Sequence, residues 1–194
     1  MFVETLLAVG IGVGLSSIAG VRAYLPLALV GLFARLGFFE LSAPFDLLGD
    51  WSLIVALLVL ALLESTLDKI PALNSILKLV QTPVRIVAGA ILFSAALQAG
   101  LDAEAIPELA AGAGIAGLVA VLKVILRPPA NVASVGVSVP FLSSFEDVVA
   151  ILGGLVAVFV PLVPLVLVAF LLFFFYRVRR RRGRKYGGLR ILGD

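Results

Sequence analysis

Glu64 and Asp68 are the residues in this chain best placed to do chemistry. They close an apolar segment four residues apart, so on a helix they share one face. A charge at membrane depth costs several kcal/mol unless it is paired or hydrated. Asp68-Lys69-Ile70-Pro71 breaks that helix, residues 72–80 form a short amphipathic connector, and Pro83 suits the first turn of the next one. Arg85 then lies at the depth of Asp68, and its pairing with Asp68 or Glu64 is the expected ion pair. Arg22 stands between Gly20 and Pro26, where a helix opens. Lys123 and Arg127 repeat the four-residue spacing with the opposite sign, and Glu146 and Asp147 follow them. Arg22, Arg85, Lys123 and Arg127 facing Glu64, Asp68, Glu146 and Asp147 would line a site for an ion or small solute, with Glu64 or Asp68 able to carry a coupling proton.

Each of these residues has a plainer reading beside that one. Glu146 and Asp147 open a span after Ser143 and Ser144 at capping-box spacing, where they would only satisfy helix N-terminal amides. Lys123 and Arg127 would only reach the cytoplasmic interface. Glu64 and Arg22 would form a buried structural ion pair. Other chemistries are removed by composition. The chain has no His and no Cys, so the commonest general base and metal ligand, thiolate sites and disulfides are excluded. No phosphate loop, dinucleotide fingerprint or nucleophile elbow is present. The expectation is a protein that is not an enzyme and holds no cofactor and no metal.

The elements that must position these charges are apolar helices. Of 194 residues 62% are hydrophobic and 14% charged, with a mean hydropathy of +1.20. One soluble core could not hide that much apolar surface. The expected fold is an all-α polytopic membrane helix bundle, one domain over residues 1–176 with a basic cytoplasmic tail over 177–194. Six spans read clearly: roughly 2–20, 51–68, 83–100, 107–126, 145–160 and 162–176. The first is a retained span, since it lacks a basic n-region and a small-residue cleavage site. Pro161 and Pro164 require a hairpin or sharp break between the last two. Residues 22–37 are apolar but short. They read as a re-entrant or short broken helix, preferred because it suits a duplicated three-span unit, or as a short seventh span that would put the N-terminus outside.

Basic and acidic connections alternate along the chain, and eight of the fifteen basic residues lie between Arg177 and Arg190. This places the C-terminus in the cytoplasm and the protein in the inner membrane, in contact with membrane lipids, with anionic lipid at the tail and no nucleic acid partner. Ser42-Ala-Pro44-Phe45 and Ser138-Val-Pro140-Phe141 each precede a span, and Gly12-Val-Gly14 and Gly112-Ala-Gly114 precede Arg22 with Pro26 and Lys123 with Pro128. Two halves of three spans, residues 1–100 and 106–176, would insert in opposite orientations as an inverted repeat. Gly10 and Gly14 have the spacing that lets helices approach closely, which leaves a homo-oligomer open.

Three stretches carry a family resemblance. Ala19-Gly20-Val21-Arg22-Ala23-Tyr24-Leu25-Pro26-Leu27 is one. Glu64-x-x-x-Asp68-Lys69-Ile70-Pro71 with Thr82-Pro83-x-Arg85-x-x-Ala88-Gly89 is the second, and Lys123-x-x-x-Arg127-Pro128 with Glu146-Asp147 the third. Over about residues 6–165 the chain resembles a bacterial family of small membrane proteins described only as a domain of unknown function. The resemblance implies a multi-span membrane fold and brings no activity, ligand or catalytic residue. From the residues themselves the first functional expectation is a small-solute or ion transporter or channel. The alternatives are a lipid-binding or lipid-translocating protein and a structural membrane subunit.

Overall fold

A computed structural model of the chain describes residues 2–68, 74–100, 105–126 and 139–187. Among the described residues there are seven α-helices and no strand: α1 (Phe2–Val21), α2 (Tyr24–Arg35), α3 (Trp51–Leu67), α4 (Asn74–Gly100), α5 (Ala105–Leu126), α6 (Val139–Phe159) and α7 (Leu162–Gly187), with a 3-10 turn at Phe45–Gly49. By length and composition, α1 and residues 106–124 of α5 are apolar enough to cross a membrane. Residues 143–159 and 162–174 of α6 and α7 qualify together across a 110° bend, while α2 and α3 are apolar but shorter. The apolar helices fit a membrane helix bundle.

Helix α1 is the central element because its sequence lets neighbours approach it. Facing α6 and α7, Gly10 lies under the Pro161 carbonyl, Gly14 under Ala157 and Pro164, and Ile18 meets Gly153. One turn further, Arg22 reaches Asp147. This one-turn ladder, descending on α1 as it climbs α6, makes the two helices antiparallel. Facing α4, Gly12 receives the Phe93 ring, and the Ser16 hydroxyl donates to the Gly89 carbonyl at 2.8 Å. Gly89 in turn abuts Ala116 and Gly112 of α5. A methyl on any of these glycines would overlap its neighbour, so the sequence keeps small residues where the backbones cross.

These contacts settle direction. α4 runs opposite to both α1 and α5, and Gly20 beside Val119 with Lys123 bonded to the Val21 carbonyl makes α1 and α5 parallel. An inverted repeat that equates these two helices requires them opposed. α1 and α3 also end at the same pole, and α2 carries the chain back between them.

One helix end falls where the sequence predicts it, and three helices depart from that reading. The chain breaks between α1 and α2 at Arg22 and Ala23 because Pro26 cannot donate to the Arg22 carbonyl and crowds it. By contrast, α4 runs from Asn74 straight through Pro83, so no helix start marks that proline. α6 begins at Val139, about two turns before Glu146. Glu146 and Asp147 are therefore helix-interior residues, and the capping-box expectation is corrected. α7 also runs unbroken past Tyr176 to Gly187, joining the membrane segment to the basic stretch. The expected break at Pro161 is present as the 110° bend.

Candidate functional site

Seven of the eight charged residues singled out from the sequence meet at one end of the bundle, the charged pole; Arg127 lies outside the described residues. Arg22 is the hub. Freed from helical geometry by the α1–α2 break, its guanidinium spreads across two helices. Nη1 donates to Asp68 Oδ2 at 2.8 Å and to the Glu64 carbonyl of α3 at 3.4 Å. Nη2 lies 2.8 Å from Asp147 Oδ1 and donates to Ser143 of α6, at 2.9 Å to the hydroxyl and 3.2 Å to the carbonyl. Glu146 is at the edge of its reach, 3.9 Å from Nη2.

Two further pairs flank the hub. Arg85 Nη2 donates to Glu64 Oε1 at 3.2 Å and to Gln81 Oε1, one turn back on α4, at 2.7 Å. The other Glu64 oxygen accepts the Ala23 N–H at 3.2 Å, so one carboxylate ties α3 to the helix break and to α4. Lys123 Nζ lies 2.8 Å from Glu146 Oε2 and donates to the Val21 carbonyl at 2.8 Å. Two cations thus reach carbonyls in the last turns of α1 and α3, where the helix dipole is negative. Asp147 also accepts from Ser65. The expected pairing of Arg85 resolves to Glu64, and Asp68 goes to Arg22.

The signs are sorted by helix. The cations come from α1's end, α4 and α5, which pack closely on one another; the carboxylates come from α3 and α6. Arg22, Glu64, Asp68 and Arg85 are at most 3% exposed, while the side chains of Glu146 and Asp147 reach 12% and 26%. The network is closed at its centre and opens toward solvent at α6. Burial at this depth is tolerable because each charge has a partner of opposite sign. Among the described residues the buried side-chain polar atoms with no hydrogen-bond partner are Nε of Arg22, Nε of Arg85 and Oε2 of Glu146, the last held by the Lys123 charge at 2.8 Å.

The other end of the bundle, the far pole, is built differently. A cavity of about 480 Å³ lies between α1, α2, α4 and α6, with Ile11, Leu15, Leu92 and Phe159 in its walls and Glu4 its one charged lining residue. The turn after α2 shapes one wall. Gly37 takes a φ of 80°, and the N–H groups of Gly37 and Phe38 return to the carbonyls of Ala34 and Phe33, both at 3.1 Å. This left-handed helix ending brings Phe38 onto Phe33, and the two rings meet Phe159 edge-on with centroids 5.5–6.1 Å apart.

Several participants escaped the sequence reading. Gln81 and Ser143 stand one turn from Arg85 and Asp147 respectively, so helical spacing from an identified charge could have found both. Ser65 had no such signal. Glu108 is in the first turn of α5, 6% exposed, and accepts from Ser94 at 3.1 Å.

The chain belongs to the family described as Domain of unknown function (DUF4126), whose model matches residues 9–181. The match extends beyond the region covered by the three motifs and takes in α7 as far as Arg181. No curated protein and no solved structure matches the chain.

Proposed function

We propose that this protein is a membrane transporter for a small solute, in which the charged cluster is the latch that closes one pole and the apolar chamber at the other pole holds the cargo. The sorting of charge by helix carries this reading. A cluster meant only to bind a ligand has no need to place every cation on α1, α4 and α5 and every carboxylate on α3 and α6. A latch between helix ends that part at this pole does, because each ion pair then joins ends that separate and all can be exchanged for water together. The role of Arg22, Glu64, Asp68, Arg85, Lys123, Glu146 and Asp147 is gating in this reading, and the protein is not an enzyme.

The proposed topology takes α2 as a short seventh crossing, because α1 and α3 end at the same pole. The parallel run of α1 and α5 counts against the inverted repeat and against six spans with a re-entrant α2. The proposed orientation puts the charged pole and the tail on the cytoplasmic side of an inner membrane, with anionic lipid against the tail; the basic residues of both support it. The near-complete pairing of the cluster favours a second reading, a structural subunit whose ion pairs merely hold helix ends together.

The absence of native cysteine provides the test. Ser143→Cys places a thiol beside Arg22 at a site with 0% exposure. In reconstituted vesicles a latch that opens lets a membrane-impermeant maleimide label this thiol slowly, and Asp147→Asn accelerates labelling about tenfold or more. A thiol that stays unlabelled in both backgrounds of the folded protein overturns the transport reading in favour of the structural one.

A further inference from the structure

A second cavity adjoins the apolar chamber, and its charged lining gives that edge of the chamber a definite sign. It holds about 460 Å³ and shares Phe39 and Leu41 with the chamber wall. Its charged lining is Glu40, Asp46 and Asp50 against Arg35 alone, and the Arg35 guanidinium lies 5.9 Å from the Trp51 ring centroid. Three exposed carboxylates thus stand beside a chamber whose one charged lining residue, Glu4, is also acidic. Inside, the walls are aliphatic and aromatic, with Phe38 and Phe159 among them, and aromatic rings attract a cation to their faces. We infer that the chamber takes an organic cation with an apolar body, such as a hydrophobic amine or a quaternary onium ion.

Each part of the far pole matches one part of such a molecule. The carboxylates concentrate cations at that edge and repel anions. The apolar chamber, within the roughly 300–1,000 Å³ typical of small-ligand sites, accepts the hydrocarbon body. A delocalised or alkylated cation sheds its water at small cost and gains aromatic contact, whereas a small metal ion would lose its hydration for Glu4 as the one carboxylate in the chamber wall. A phospholipid would bring a phosphate to an acidic edge. That the bound molecule is cargo rests on the transport reading; that it binds does not.

The test uses two ions of matched size and shape, tetraphenylphosphonium and tetraphenylborate, and the purified full chain in an uncharged detergent. Equilibrium dialysis should show the phosphonium bound at least about tenfold more tightly than the borate. Ala95→Leu, which fills the chamber from α4, should weaken phosphonium binding about tenfold. Asp46→Asn with Asp50→Asn should weaken it several-fold and flatten its salt dependence. Equal binding of the two ions by the wild-type protein would mean simple partitioning and would overturn the inference. So would phosphonium binding indifferent to both variants, or a co-purified phospholipid that the phosphonium cannot displace. Because dialysis requires no flux, selective binding alongside an unlabelled Ser143→Cys would overturn transport alone. A working latch with no selectivity between the ions would overturn this inference alone.

Discussion

Three helices, α1, α4 and α6, take part in both poles, with α3 and α5 completing the charged one and α2 the other, and the two poles are built in opposite ways. At the charged pole the helices bring together long polar side chains that fill the space between backbones and satisfy one another. At the far pole they present aliphatic and aromatic side chains that leave about 480 Å³ unfilled. The glycine crossing Gly89–Ala116 lies between the two. The difference teaches where rigidity resides. Charges withdrawn from water hold their partners strongly because every alternative is worse. An apolar void exerts no such demand and can be filled, emptied or closed at small cost.

The largest effect is expected at the hub. Arg22→Met leaves Asp68 and Asp147 at the pole without their shared cation and should cost about 3–5 kcal/mol, read as a large fall in thermal unfolding temperature in detergent. Adding Asp68→Asn and Asp147→Asn to that variant should recover part of the loss. No recovery would mean that Arg22 acts through packing and not charge. Next come the crossings: Gly89→Val, which drives a branched side chain into Ala116, should cost about 1–3 kcal/mol, and an unchanged unfolding temperature would refute the close approach of α4 and α5. Asp147→Asn, at the exposed edge of the network, should cost no more than about 1 kcal/mol while still raising thiol labelling at Ser143→Cys. The smallest effect belongs to the far pole. Ala95→Leu fills existing space, so stability should stay within about 0.5 kcal/mol of the parent or rise. A loss as large as that at Gly89 would show that the chamber wall is already tightly packed.

Much of the candidate site was legible because charge is so costly in an apolar chain that its position is informative by itself. Glu64, Asp68 and Arg85 stood out for that reason, and their shared face follows from helical spacing. The pairing of Arg22 was not legible. Its partners lie on α3 and α6, up to 121 positions away, and spacing says nothing about which helix ends converge. Glu146 and Asp147 were read as a helix start because Ser143 and Ser144 mimic a cap; the helix begins earlier, at Val139, and tertiary pairing with Arg22 and Lys123 gives the carboxylates other work. Glu108 was invisible as a buried group because its partner Ser94 is an uncharged residue of another helix. The chamber had no sequence signal at all, since a void is a property of how side chains meet.

The sequence by itself determined the solvent, the helical class and the break points: apolar composition excludes a soluble core, and proline at positions 26 and 161 prevents continuous helices there. It also determined which charges would need partners. Tertiary structure alone decided the parallel run of α1 and α5, the assignment of each carboxylate to its cation, and the separation of a filled pole from an empty one. Those depend on which helix faces meet, and that is chosen by the sum of many weak contacts along the whole bundle, of which no local stretch of sequence holds more than one side.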